Sequence, residues 1–129
     1  MEYGETLWRY FRRPCNPGDF PAATPGVQTG RAGSLEQGEL IEIQVRLNGE
    51  LIEDARFRAY GGPATIAAAA WLAGWLPRRR IAQALVLDDG VIAQALDLPP
   101  LAIRSAVLAL QAARNALGNG LENPPSNPQ

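Results

Sequence analysis

Histidine and lysine are absent from this chain, and cysteine occurs once, at Cys15. A single thiol cannot form an intramolecular disulfide. Tetrahedral zinc and iron–sulfur sites draw on cysteine and histidine in sets of three or four, so one copy of this chain cannot build one. Nucleophilic catalysis by serine–histidine or cysteine–histidine pairs is excluded by the same count. Carboxylates remain as metal ligands, and they suit hard cations. A net charge of −1 leaves no basic surplus for neutralising a phosphate backbone. Every basic residue is arginine. No apolar run approaches the roughly 20 residues of a membrane span, and the opening MEYGETLWRYFRR has no apolar signal region. A cytoplasmic location is the expectation, with neither nucleic acid nor membrane as partner.

The 129 residues fit one domain, and a hydrophobic content of 47% is ample for its core. Leu7, Tyr10 and Phe11 fall at helical spacing, which predicts a short helix over Glu5–Arg12, ended by Pro14 and Pro17–Gly18. Asn16 to Gly33 is rich in proline, glycine, alanine and threonine. It reads as an extended surface loop with at most one irregular strand around Val27. Leu40–Leu47 alternates, with Ile41, Ile43, Val45 and Leu47 on one side and Glu42, Gln44 and Arg46 on the other. Leu51–Tyr60 answers it, with Ala55, Phe57 and Ala59 against Asp54, Arg56 and Arg58. Asn48–Gly49 marks the turn. A plain two-residue turn would pair Ile43 with Asp54 and put the faces out of phase. A three-residue loop or a bulge is therefore required, with Gly49 at positive φ. The polar faces then set Glu42 opposite or diagonal to Arg56.

Gly61–Gly62–Pro63 stops the second strand, and ATIAAAAWLAGWL predicts a helix from about Ala64 to Leu76. Arg78–Leu85 and Val91–Leu96 read as short helical segments split by Asp88–Asp89–Gly90. Pro99–Pro100 opens the last helix. Ile103, Val107, Leu110 and Leu117 are its apolar stripe and Gly118 its stop. Residues 1–118 form the domain, and 119–129 read as a disordered tail. Strands followed by a run of helices give an α+β class, an antiparallel sheet with helices packed on one face.

With these elements in order, the chain resembles the IscU/NifU N-terminal family of iron–sulfur cluster assembly scaffolds, related to the SufE fold. The resemblance runs from about Tyr3 to Leu117. RRPCNPG is similar to the family's turn after its first helix, and GELIEIQVRLNGELIEDARFRAYGG to its hairpin. PATIAAAAWLAGWL resembles the helix after its central cysteine, and LDLPPLAIRSAVLALQAARNAL its last helix.

The family's ligands, carried over residue by residue, are missing. Its Cys-Gly-Asp turn is Gln37–Gly38–Glu39 here. Its second cysteine, after a glycine at the hairpin's end, is Gly62. Its adjacent histidine and cysteine are Arg104 and Ser105. The resemblance implies that Gln37, Glu39, Gly62, Arg104 and Ser105 converge, with Arg104 and Glu39 approaching each other. It also implies a bacterial, non-enzymatic role in cluster assembly by protein–protein contact. The implied partners are a cysteine desulfurase, a chaperone or an intact scaffold subunit. Catalytic, cofactor and metal residues are expected to be none. Leu98–Pro99–Pro100 resembles a chaperone-recognition segment, although Leu101–Ala102 replaces the family's valine–lysine.

Other residues admit a functional and a plain interpretation. Cys15 is a candidate sulfur acceptor, which defines an alternative role as a SufE-like sulfur carrier, or it is incidental. A further alternative is a binding module that kept only the fold. Glu36 and Glu39 are candidate carboxylate ligands or solvated loop acids. Gly61–Gly62 could admit an anion or form a plain turn. Arg78–Arg79–Arg80 could dock an acidic partner or simply cap a helix end. Trp71 and Trp75, one turn apart, read as core.

Overall fold

The structure is a computed structural model that describes residues 2–122, with side chains described through Gly118. Helix α1 spans Glu5–Arg12, and strands β1, β2 and β3 span Val27–Ser34, Glu39–Asn48 and Leu51–Tyr60. Helices α2, α3 and α4 span Pro63–Trp75, Ile81–Leu85 and Asp89–Ala95. A 3-10 turn at Pro100–Ala102 leads into α5, Ile103–Glu122. The three strands form an antiparallel meander in the order β1-β2-β3. No helix among the described residues is long and apolar enough to cross a membrane.

The β2–β3 hairpin resolves the phase conflict with a bulge. Gly49 and Glu50 make a two-residue turn, Gly49 at φ 61. Leu47 pairs with Ile52, but Arg46 pairs with Asp54, so Glu53 is the extra residue. One inserted residue reverses the alternation. Ile52 before the bulge and Ala55 and Phe57 after it are consequently all buried beside Ile43 and Val45. On the polar face Arg58 stands directly opposite Glu42 and Arg56 lies diagonal. The ion pairs go elsewhere: Glu42 bonds Arg31 at 2.9 Å, and Arg56 bonds Asp54 at 2.9 Å.

Strand β1 is a full eight-residue strand paired with β2 along its length, where the sequence predicted an extended loop with at most one irregular strand around Val27. Its glycines are the reason for the difference. Gly30 lies under the backbone of α5, where a Cβ would overlap Ala116 N and Ala112 O. A glycine that weakens a strand signal is here the condition for close helix–sheet approach.

Helices α2 and α5 pack on one sheet face, α5 over β1 and β2 and α2 over β3, and α1 packs on α2. The contact surfaces are made of small residues. Ala67–Ala70 are fully buried in α2, as are Ala106, Ala109, Ala112 and Ala116 in α5. The predicted α5 stripe is corrected accordingly. Leu110 and Leu117 are buried, but Ile103 is 40% exposed. Gly118 does not end the helix, which continues to Glu122. Of the expected tail 119–129, residues 123–129 lie outside the described residues.

The other sheet face is covered by the loop after α1. Phe20 is buried there, with the Arg56 and Arg46 guanidiniums 4.7 and 5.7 Å from its ring centre and its N–H donating to Gln44 Oε1 at 2.8 Å. The same loop covers the β3 edge. Phe57 N–H donates to Asn16 O, and Gly18 N–H donates to Phe57 O. Arg78–Arg80 is not helical. Arg78 has φ 75, and the segment runs beside β3, with Ile52 N–H donating to Arg79 O and Arg78 N–H to Ile52 O. Pro77 ends α2 and turns the chain back to the strand edge.

Candidate functional site

The hairpin loop after β1, the β3–α2 turn and the start of α5 meet at one cleft of about 220 Å³. Gln37 is held in the loop by its N–H bond to Ser34 O, and Gly38 takes φ 85, the left-handed conformation that glycine adopts without strain. The turn delivers Glu39 as the first residue of β2. Across from it, Thr65 sits in the first turn of α2 and Ser105 in the first turn of α5.

Glu39 is the centre of the arrangement. Its Oε2 accepts from Ser105 Oγ at 2.6 Å and Thr65 Oγ1 at 2.7 Å. Its Oε1 lies 3.4 Å from Arg104 Nε, and an Arg104 terminal nitrogen donates to Gln37 Oε1 at 3.2 Å. Ser105 and Thr65 are the two buried polar side chains among the described residues, and this shared carboxylate oxygen satisfies both. Arg104 is 56% exposed and Glu39 19%, so the network is dry at the hydroxyls and wet at the guanidinium.

Gln37, Glu39, Arg104 and Ser105 are thus linked, and Gly62 lines the same cleft. A Cβ on Gly62 would meet nothing within 4 Å, so this position has room for a side chain. Thr65 and Tyr3 line the cleft too and were not foreseen. The signal for Thr65 was a lone hydroxyl among alanines on a buried helix face. Tyr3 gave none.

The remaining candidates are not among the linked residues, although Leu101 lines the same cleft. Leu98 is buried, whereas Pro100 and Leu101 are exposed, Leu101 at 84%. Glu36 is exposed in the hairpin loop. Gly61, at φ 152, packs so closely on Thr65 that a Cβ would sit 2.6 Å from its Oγ1, which makes Gly61–Gly62 a tight turn. Cys15 is half-buried in another cleft, beside Tyr10, Trp71, Gly74 and Trp75. Trp71 and Trp75 are stacked 6.3 Å apart and only partly buried, not core as expected, because α2 meets the sheet through its alanines. Gly74 is nine residues after Thr65, about 13 Å along the helix axis.

The donor set does not fit an iron–sulfur cluster. One carboxylate, two aliphatic hydroxyls, the Tyr3 phenol, an amide and a fixed cation face the cleft, with neither thiolate nor imidazole. Among the described residues no group of three His, Cys, Asp or Glu could hold a metal ion.

A three-stranded meander with helices on one face, its hairpin loop and two helix starts closing on one cleft, defines an α+β domain of the cluster-scaffold type. The chain belongs to the NifU-like N-terminal domain family, whose model matches residues 2–123. It is 31% identical over 120 residues to the iron-sulfur cluster assembly scaffold protein IscU of Escherichia coli strain K12, covering 92% of this chain and 94% of that one. It is 32% identical over 118 residues to IscU of Azotobacter vinelandii, covering 91% and 92%. Among solved structures, the N-terminal part of a nitrogen-fixing NifU-like protein from Brucella abortus shares the fold with a TM-score of 0.70 at 10% identity, covering 94% and 95%. A putative scaffold protein for the SUF system from Fervidobacterium islandicum AW-1 does so with a TM-score of 0.65 at 15% identity, covering 89% and 96%.

Proposed function

We propose that this chain serves iron–sulfur cluster assembly as an accessory member that does not itself hold the cluster and acts by contact with other proteins. The observation that carries the proposal is the Glu39 network. Gln37, Gly62, Arg104 and Ser105 stand where the resemblance implies thiolates and imidazole, and Glu39 where it implies aspartate. Here a carboxylate bridging two buried hydroxyls and a guanidinium joins the loop to both helices. A cationic metal would have to displace Arg104, and soft ligands are missing. The partners of this reading are a cysteine desulfurase, a chaperone or an intact scaffold subunit. A chaperone binding Leu98–Pro99–Pro100 as an extended peptide would first have to extract Leu98 from the core.

Reconstitution with iron and sulfide tests the proposal. The natural chain is expected to stay colourless, with Cys15→Ser run beside it to exclude a dimer bridged by two thiolates. The triple variant Gln37→Cys, Gly62→Cys, Ser105→Cys is expected to gain a visible charge-transfer band. Stoichiometric iron and sulfide in the natural chain would refute the reading. A colourless, folded triple variant would remove the assignment of these positions. A persulfide trapped on Cys15 after mixing with a desulfurase would replace the proposal with the sulfur-carrier alternative.

A further inference from the structure

The chain has twelve arginines, and six of them form ion pairs: Arg31, Arg46, Arg56, Arg58, Arg80 and Arg104. Those pairs lie on the sheet, its hairpin and the Glu39 cleft. Among the described residues, Arg9, Arg12, Arg13, Arg78, Arg79 and Arg114 form none; Arg114 donates to Leu87 O, and Arg9, Arg12, Arg13 and Arg79 line two clefts at α1 and the end of α2. Arg9, Arg12 and Arg13 line a cleft of about 180 Å³, in which Glu5 is the single acid. Arg79 lines a neighbouring cleft of about 230 Å³ with Tyr10, Trp71 and Trp75. The two clefts adjoin through Arg9, whose guanidinium lies 5.7 Å from the Tyr10 ring centre.

Trp71 and Trp75, partly exposed, wall the second cleft, and Trp8, also partly exposed, lies on α1 against Tyr3 and Phe11. Arg12 lies 5.8 Å from the Trp8 ring and Arg79 4.3 Å from the Trp75 ring, so the rings hold the guanidiniums and leave their charge uncompensated. Tryptophan, tyrosine and arginine are the residues that concentrate binding energy at protein interfaces. Gly74 packs against Cys15 in the second cleft, where a Cβ on the glycine would sit 2.9 Å from the Cys15 Sγ, and the remaining walls are Tyr10, Trp71 and Trp75.

We infer that this face docks an acidic segment of another protein, carboxylates meeting Arg9, Arg12, Arg13 and Arg79 and one apolar side chain entering the cleft walled by Tyr10, Trp71 and Trp75. Charge complementarity selects the acid, because four guanidiniums face one carboxylate. The small number of cations on a chain of net charge −1 selects a protein over a nucleic acid, whose phosphates need a basic surplus. The aromatic walls select an apolar anchor.

The position of the tryptophans and of Cys15 makes the test direct. The full chain is titrated with a glutamate-rich synthetic peptide carrying one central leucine, followed by tryptophan fluorescence and by the rate of Cys15 alkylation. Saturable binding that slows alkylation and weakens with salt is expected. Arg12→Glu with Arg13→Glu should weaken it about tenfold or more, with the circular dichroism spectrum unchanged. Arg31→Gln, on the sheet, should leave it intact, and replacing the peptide leucine by serine should weaken it. The inference is overturned by absence of binding, by equal loss in Arg31→Gln, by equal affinity of the serine peptide, or by tighter binding of single-stranded DNA of matched charge. If the double variant is misfolded, Arg9→Gln, at an exposed position, takes its place and should weaken binding with the circular dichroism spectrum unchanged, and unchanged affinity would overturn the inference.

Discussion

Glu39, Ser105 and Arg104 contribute to the same network on different terms. Ser105 is buried and gives its hydroxyl to the carboxylate at 2.6 Å. Removing it strands part of a desolvated acceptor, which costs about 1–3 kcal/mol. Arg104 is more than half exposed, and an exposed ion pair contributes at most about 1 kcal/mol. Ser105→Ala should therefore lower the melting temperature clearly, while Arg104→Ala should barely move it. Thermal unfolding of the two variants side by side checks the order, and a larger loss in Arg104→Ala would contradict it. The Arg104–Glu39 approach was expected from the resemblance alone. Thr65 was not, because a hydroxyl three residues into an alanine-rich helix carries no sign of what it will face.

At the scale of elements, Gly118 separates two descriptions of α5. A glycine that ends a helix takes a left-handed conformation, and alanine there is costly. Gly118 instead lies inside the helix, and a Cβ on it would meet nothing within 4 Å. Gly118→Ala should therefore stabilise the protein by roughly 0.5–1 kcal/mol through helix propensity. Urea denaturation reads this as a higher midpoint at unchanged slope, and a lower midpoint would restore the stop.

Elements whose pattern is local were legible: the β2–β3 hairpin with its bulge, α1 and α2. Strand β1 was not, because its glycines are explained by α5, far away in the chain. The course of Arg78–Arg80 depended likewise on a strand edge that no local pattern reveals. The same limit applied to α5, whose buried surface is alanine and whose Ile103 faces outward.

For the whole molecule, chain distance matters as much as spatial distance. The two hairpins join neighbours in sequence, and closing short loops is entropically cheap. The Glu39–Ser105 bond spans 66 residues and joins the first hairpin to the last helix. That separation orders events in time. The meander can form while α5 is still searching for it, and the carboxylate finds its second hydroxyl only when the helix has docked. Ser105→Ala should then leave the refolding rate nearly unchanged and place its whole effect on the unfolding limb of a chevron plot. A refolding rate that falls in proportion to the lost stability would mean that the last helix is part of the nucleus. On the expected outcome, the Glu39 network acts as a clasp that delays the chain's opening and has no part in its closing.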